Sequence, residues 1–104
     1  MANKINPVFM QTFSWVSDSL GFHGVGFHSF EKKVETGATL LTLLNDLAKD
    51  YPDFKKMVFD PESSQLSDQV SLLLNQSLAR FEQVKDIPLK DKDVISLVPV
   101  LYGG

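Results

Sequence analysis

Apolar residues dominate VFMQTFSWV, residues 8–16, with polar residues only at 11, 12 and 14. The segment is rich in aromatic and β-branched residues, and a period of two is typical of a strand. One face of this predicted strand carries Val8, Met10, Thr12, Ser14 and Val16. The other face carries Phe9, Gln11, Phe13 and Trp15. The glycines at 21, 24 and 26 then indicate a loop, and FHSFEKKVE (27–35) is predicted to pair back as the second strand of a hairpin.

The apolar spacing becomes helical after the turn signal Thr36-Gly37. Thr39 is expected to cap a helix over LLTLLNDLAKDY (40–51), because its side-chain oxygen can accept a hydrogen bond from the first turn. The predicted apolar stripe is Leu40, Leu43, Leu44, Leu47 and Tyr51. Pro52 is expected to mark the end of this helix. A short turn over residues 53–59, packed by Phe54, Met57 and Val58, is expected to follow.

The remaining segments predict further strands. DPESSQLSD (60–68) is predicted as a polar loop, and QVSLLLNQ (69–76) as the third strand. Residues 77–85 are expected to form a short strand or irregular return before the turn IPLKDKD and the final strand VISLVPV (94–100). This order, with the last strand in the middle of the sheet, predicts one α+β domain over residues 1–104. The expected fold is a ubiquitin-like β-grasp, in which one main helix packs on one face of a mixed sheet and residues 101–104 form a flexible tail.

Composition narrows the classes of partner. The chain has 104 residues, a formal net charge of -3 and no cysteine. The mixed charges offer no basic surface for nucleic acid or anionic lipid, and the lack of cysteine excludes disulfides, thiolate metal sites and a thiol nucleophile. The first residues lack a signal-peptide pattern, and no apolar run approaches the ~18 residues of a membrane span. We therefore expect a cytoplasmic protein without nucleic acid or membrane partners.

Three stretches carry a family resemblance. LLLNQSLARF (72–81) contains a strand that ends in Asn-Gln, and PLKDKDVISLVPV (88–100) contains an acidic turn and the last strand. The third stretch is the terminal Gly103-Gly104. In this order, and together with the predicted helix, they resemble the ubiquitin-like sulfur carriers of the MoaD/ThiS type. The resemblance spans residues 8–104 and is closest to the small subunits of molybdopterin synthase (MoaD).

The resemblance implies that sulfur is carried on Gly104. An adenylyltransferase of the ubiquitin-activating type (MoeB/ThiF type) would adenylate Gly104 with ATP, and the product would become a thiocarboxylate. The thiocarboxylate would donate sulfur to a pterin precursor held by the large subunit of molybdopterin synthase (MoaE type). Leu101, Tyr102 and Gly103 would bind as a tail, because glycine has no Cβ and can pass a narrow channel. ATP serves the partner enzyme, so we expect no bound cofactor and no active site within the chain itself.

The same resemblance assigns contacts with the activating enzyme to Phe13, Leu78 and Val98. A β-grasp sheet covers one face with its helix and leaves the other face open. Phe9 and Trp15 would either extend this apolar patch or be covered by the long hairpin loop.

Several features depart from the family pattern. Lys92 stands in a turn position where glycine is usual, and because lysine tolerates positive φ poorly, it predicts a different turn geometry. Tyr102 is bulkier than the small residue that is common before the glycines. Pro99 stands alone where two prolines are frequent. The loops around His23 and over 60–68 are longer than in compact members, and all these departures bear on the partner enzyme more than on the family.

Three alternatives remain open at this point. Gly103-Gly104 alone would fit a frayed end or an added terminal sequence, although the apolar strand before it favours a functional tail. A carrier of this type could instead send sulfur to thiamine thiazole or tRNA, or be conjugated to lysines as a ubiquitin-related modifier. The chain could also be a ubiquitin-like interaction module that acts only through its apolar patch.

The other polar clusters favour structural roles. His23 and His28 have no third ligand nearby, so we expect them to pack or to contact solvent rather than bind metal. The glycines at 21, 24 and 26 match no phosphate-binding fingerprint and indicate a loop. Four acidic residues in turn-like stretches are expected to cap or solvate those turns: Asp60, Glu62, Asp91 and Asp93.

Overall fold

A five-stranded mixed sheet forms the body of the protein. The computed structural model describes residues 5–100. The elements are β1 (Ile5–Phe13), α1 (Trp15–Ser19), β2 (Phe27–Glu35), α2 (Leu40–Asp50), α3 (Pro52–Met57), β3 (Phe59–Asp60), β4 (Gln65–Leu66), β5 (Val70–Leu74), β6 (Ser77–Ala79), α4 (Phe81–Val84) and β7 (Val94–Pro99). The sheet order is β2-β1-β7-β5-β6, and β3 pairs with β4 separately. Only the β1–β7 neighbours in the large sheet run parallel, so the predicted mixed sheet with a central last strand is confirmed.

The main helix α2 covers one face of this sheet. The Thr39 side chain accepts a hydrogen bond from the Thr42 N–H at 3.2 Å, which confirms the predicted cap. The buried stripe of α2 is Leu40, Leu43, Leu44, Leu47 and Ala48, which belong to the same core as Val8, Met10, Ile95 and Leu97 of the sheet. Tyr51 was expected on this stripe but is exposed. It has already left helical geometry (ψ 96) because a proline follows it.

The first strand begins and ends three residues earlier than predicted. Val8, Met10 and Thr12 are buried as expected, but β1 ends at Phe13 and Ser14 has a φ of 61°. Residues 15–19 then form the short helix α1 instead of continuing the strand. The Thr12 and Ser17 hydroxyls lie 2.8 Å apart, and this buried hydrogen bond holds α1 against the strand that precedes it. Ser14, Trp15 and Val16 therefore do not extend either strand face.

The connection between α2 and the last strand contains more regular structure than predicted. Phe54 and Val58 are buried as expected, but Met57 is exposed. The expected polar loop includes the β3–β4 pair, and the return after β5 consists of the short strand β6 followed by α4. Phe81 of α4 is buried with its ring 5.5 Å from that of Phe59.

The turn before β7 corrects the expectation for Lys92. Lys92 adopts a φ of 67°, which is the left-handed conformation that favours glycine. Its N–H donates to the Pro7 carbonyl at 2.7 Å, and the Asp93 carboxylate accepts from the Lys90 N–H at 2.8 Å. These hydrogen bonds offset a conformational cost of about 1–2 kcal/mol for a residue other than glycine. The turn therefore keeps a glycine-like backbone although a lysine occupies it.

Candidate functional site

The strand register defines an open face on the side of the sheet away from α2. Directly paired residues on neighbouring strands point to the same side, and successive residues alternate. One row of the open face contains Phe27, Phe13, Val98 and Ser71. Phe13 and Val98 are placed in the same row because they follow the paired residues Thr12 and Leu97 on the parallel strands β1 and β7. The next row contains Ser29, Gln11, Ser96, Leu73 and Leu78. A third row begins with Phe9 beside Val94.

The structure places Phe13, Leu78 and Val98 on this one face. Phe13 and Val98 are neighbours across β1 and β7 and are half-buried. Leu78 lies on the edge strand β6 and is 78% exposed. With strands spaced about 4.8 Å apart, the three residues span three strand intervals, or about 14 Å. Their contact with an activating enzyme stays a prediction, but their common orientation allows one partner surface to touch all three.

The composition of the open face differs in two ways from the sequence prediction. Trp15 lies on α1 and packs against the core, so it is not part of the face. Phe9 stays exposed and is not covered by the hairpin loop. Phe27 was not predicted, yet it is 60% exposed and its ring centroid lies 4.7 Å from that of Phe13. Its place opposite Phe13 depends on the hairpin register, which FHSFEKKVE alone did not reveal.

A polar pair interrupts the apolar surface. The Ser96 hydroxyl donates to Oε1 of Gln11 at 3.2 Å, and Ser96 is almost fully buried. This hydrogen bond satisfies the serine in the middle of the sheet. The pair separates the apolar row at Phe13 and Val98 from the one at Phe9 and Val94.

The Asn-Gln motif fixes the beginning of β7. Asn75 has a φ of 52° and its side-chain oxygen accepts from the Val94 N–H at 2.9 Å. The Asn75 amide group also donates to the Asp93 carboxylate at 3.0 Å, and the Asn75 N–H donates to the Val94 carbonyl at 2.8 Å. The two family-like motifs of the second half of the chain therefore meet at one turn, which positions the central strand.

The other end of β7 leads to the predicted tail. Val100 follows the strand, and its N–H donates to the Gln69 carbonyl at 2.9 Å. The predicted tail residues Leu101, Tyr102, Gly103 and Gly104 lie outside the described residues. Val100 is therefore the last point at which the structure fixes the path of the chain toward them.

The hairpin loop between α1 and β2 has the expected packing role for one histidine. The His28 ring stacks on Phe22 with centroids 5.4 Å apart, and its Nε2 lies 3.2 Å from the His23 carbonyl oxygen. The glycines at 21, 24 and 26 all have positive φ, as expected for this loop. Within residues 5–100, no group of three or more metal-ligating side chains is assembled.

The acidic residues of two turns have the capping role predicted for them. Asp60 accepts hydrogen bonds from the Ser63 hydroxyl at 2.9 Å and the Glu62 N–H at 3.0 Å. The Ser63 hydrogen bond, followed by that of Glu62, lowers the pKa of the Asp60 carboxyl below its ordinary value. Asp93 caps the turn at Lys90, whereas Asp91 and Glu62 are exposed.

None of the helices in the part of the chain that the structure covers is both long and apolar enough to span a membrane.

The fold and its open sheet face define a ubiquitin-like β-grasp domain. The chain belongs to the ThiS family of ubiquitin-like sulfur carriers, whose model matches residues 22–104. The resemblance found in the sequence is therefore confirmed at the level of the family. No curated protein sequence matches the chain.

Several solved structures share the fold. Small archaeal modifier protein 1 from Haloferax volcanii has a TM-score of 0.71 at 20% identity, covering 95% of this chain and 100% of that protein. Urm1 from Trypanosoma brucei has a TM-score of 0.68 at 24% identity, covering 100% of both chains. A proposed molybdopterin converting factor subunit 1 from Pyrococcus furiosus has a TM-score of 0.65 at 23% identity, covering 92% of this chain and 99% of that one. The fold is thus common to modifiers and to a molybdopterin-type subunit.

Proposed function

We propose that this protein is a sulfur carrier that holds sulfur as a thiocarboxylate on Gly104. The observation that carries the proposal is the course of β7, the central strand, which carries part of the open apolar face and is followed by Val100, four residues before Gly104. Membership of the ThiS family supports it. The proposal requires Gly104 to be the carboxyl terminus of the mature protein.

The chemistry begins with activation, because a carboxylate is a poor electrophile. An oxygen of the Gly104 carboxylate attacks the α-phosphorus of ATP in an adenylating partner, and pyrophosphate leaves. A hydrosulfide ion supplied by a sulfur-donating partner then attacks the acyl carbon of the adenylate and AMP leaves, so that the terminus becomes a thiocarboxylate with sulfur in place of one oxygen. Since the chain has no cysteine, the terminus is its only site for a reactive thiol-like group.

The open face and the tail contact a partner in different ways. Residues 101–104, if extended, reach about 13–14 Å beyond Val100, which is enough to enter a partner's active site. Phe13, Leu78 and Val98 offer apolar area that a partner can bury while the tail is inserted. The glycines allow passage where a side chain would collide.

The acceptor that we propose is the pterin precursor of molybdopterin, held by the large subunit of molybdopterin synthase. The motifs over 72–81 and 88–100 support this assignment, since they resemble the small subunits of that enzyme. The fold shared with the Pyrococcus furiosus protein also supports it. ATP would be consumed by the adenylating partner and not bound by this chain.

In a second candidate function, Gly104 is still the activated group, but the acceptor is different. Haloferax volcanii small archaeal modifier protein 1 and Trypanosoma brucei Urm1 give slightly higher TM-scores than the molybdopterin-type subunit, and the Trypanosoma brucei protein matches over the full length of both chains. These likenesses favour a ubiquitin-related modifier that conjugates to lysines, or a carrier that thiolates tRNA. Thiamine thiazole is a further possible acceptor for a carrier of this family.

One reconstitution tests activation and acceptor in sequence. The purified protein is incubated with the adenylating enzyme encoded in the same genome and ATP, and the acyl adenylate is detected by intact mass. Deletion of Gly104 should abolish the adenylate without changing the thermal unfolding curve. An unmodified wild-type chain would instead favour the interaction module.

The thiocarboxylated product is then offered to two acceptor systems. In the first, the synthase large subunit and the pterin precursor should yield molybdopterin and return Gly104 to a carboxylate. In the second, lysine-containing proteins or tRNA replace the synthase. Transfer only in the second system would refute the molybdopterin assignment and retain the sulfur-carrier function.

A further inference from the structure

The connection between α1 and β2 packs against the core of the protein. Phe22 packs on the core, with its ring 5.4 Å from His28 and 5.3 Å from Phe30. The contact between Nε2 of His28 and the His23 carbonyl ties the loop to the strand that follows it. The loop is therefore held in one position by aromatic stacking and a hydrogen bond.

This loop presents apolar side chains to solvent. Val25 is fully exposed at 101%, and Phe27 is 60% exposed. We call residues 25–27 the hairpin tip. The Phe27 ring contacts Phe13 at a centroid distance of 4.7 Å, so the tip continues the apolar surface of the open face. A held loop that exposes contiguous apolar groups is typical of an interaction site.

The position of the hairpin tip indicates what covers it. Because β1 and β7 are parallel, Phe13 and Val98 end their strands side by side, and Phe27 lies opposite Phe13. The tip is thus at the end of the sheet from which residues 101–104 continue. Four residues reach at most about 14 Å, so a protein that holds Gly104 must lie close to this end of the sheet.

We propose that the hairpin tip is a second docking element for the adenylating enzyme that receives the tail, and that this enzyme offers it an apolar surface. This inference rests on the proposed function, because it takes the tail to be inserted into a partner. Val25 and Phe27 would hold the partner while the terminal glycine reaches the reacting centre. They are positioning residues and do not touch the reacting atoms.

The inference is tested with Val25→Asp and Phe27→Thr in the adenylation assay with the adenylating enzyme of the same genome. Val25 makes no buried contact, so its variant should keep the wild-type unfolding temperature. Burial of one such side chain changes affinity by about tenfold or more, so we expect the KM for the carrier to rise about tenfold. The kcat should stay within about twofold, because docking and not chemistry is affected.

Ile87→Asp is the matched control. Ile87 is an exposed aliphatic residue (47%), but it lies near the beginning of β7, at the opposite end of the sheet. Its KM should equal that of wild type. An unchanged KM for Val25→Asp and Phe27→Thr, with wild-type adenylation intact, would overturn the docking role and leave the proposed function standing. Absence of adenylation in wild type would overturn both.

The oligomeric state of the free protein provides an independent check. If the hairpin tip served a second copy of this chain, sedimentation would show a dimer that Val25→Asp converts to a monomer. That result would overturn the assignment to a tail-receiving partner. We expect wild type and Val25→Asp to sediment alike as monomers.

Discussion

Replacing Asn75 with alanine should destabilise the protein by acting on the turn that positions β7. Asn75 has a φ of 52°, and its side chain makes two hydrogen bonds, to the Val94 N–H and to the Asp93 carboxylate. Alanine removes both bonds and is less tolerant of this backbone conformation than asparagine. The substitution therefore removes the side-chain link between β5 and the central strand.

The magnitude follows from these two effects. A left-handed backbone costs alanine about 1–2 kcal/mol. Each hydrogen bond contributes about 0.5–1.5 kcal/mol, and the exposure of this turn favours the lower value. The free energy of unfolding should thus fall by about 2–3 kcal/mol.

Urea unfolding at constant m-value measures this loss, and Asn75→Gly separates its causes. Glycine accepts the φ of 52° but makes no side-chain hydrogen bond, so its loss should be smaller, about 1 kcal/mol. An alanine variant within about 0.5 kcal/mol of wild type would refute the anchoring role of Asn75. Equal losses for alanine and glycine would show that the backbone conformation contributes nothing.

Three further predictions concern the turn, the open face and the tail. Lys92→Gly should raise the free energy of unfolding by about 1 kcal/mol and Tm by about 4–8 °C, since glycine adopts the positive φ of this position without the cost that lysine has there. An unchanged or lower Tm in calorimetry would contradict this prediction. Leu78→Asp should weaken binding to the adenylating enzyme about tenfold without unfolding the domain, as Leu78 is largely exposed, and Val98→Asp should weaken it too. Wild-type affinity of both variants in titration calorimetry would exclude this face. Tyr102→Ala should retain activation but alter sulfur transfer to the cognate acceptor, because an aromatic ring offers ~150–250 Å² of buriable surface. Transfer kinetics identical to those of wild type would show that the ring does not contribute to docking of the tail.

The elements with a clear period could be predicted from the sequence. The leucine spacing of α2 and the mostly apolar run of β7, which only Ser96 interrupts, both reflect burial, which the sequence records directly. The end of β1 could not be predicted, because Trp15 and Val16 continue the aromatic and β-branched composition of the strand while Ser14 turns the backbone. A hydrogen bond between the Thr12 and Ser17 hydroxyls holds the short helix that follows this turn, and no period in the sequence indicates that bond.

Residues of the candidate site could be predicted where their own strand shows which face they occupy. Those that join the site through the pairing register of two strands were missed. Phe13 lies on the strand face that its spacing from Phe9 and Gln11 predicts, whereas Leu78 and Val98 were assigned through the family resemblance. Phe27 lies beside Phe13 because the two strands of the hairpin pair these residues. The long connection between the strands means that this pairing could not be predicted from the sequence. Lys92 was misjudged for a similar reason, since a distant carbonyl, that of Pro7, stabilises its conformation.

The chemical state of Gly104 tests the sulfur-carrier function most directly. Protein from cells of the source organism is treated with a thiol-alkylating reagent, which in a chain without cysteine should react fastest with a thiocarboxylate thiol. Fragment ions must locate the change at the terminus, because oxidation of any of the three methionines adds nearly the same mass as exchange of oxygen for sulfur. We predict an alkylated terminal Gly104 in treated protein and one sulfur in place of one oxygen in untreated protein. A Gly104 that carries only oxygen in both samples, or a mature chain that does not end at Gly104, would contradict the sulfur-carrier function.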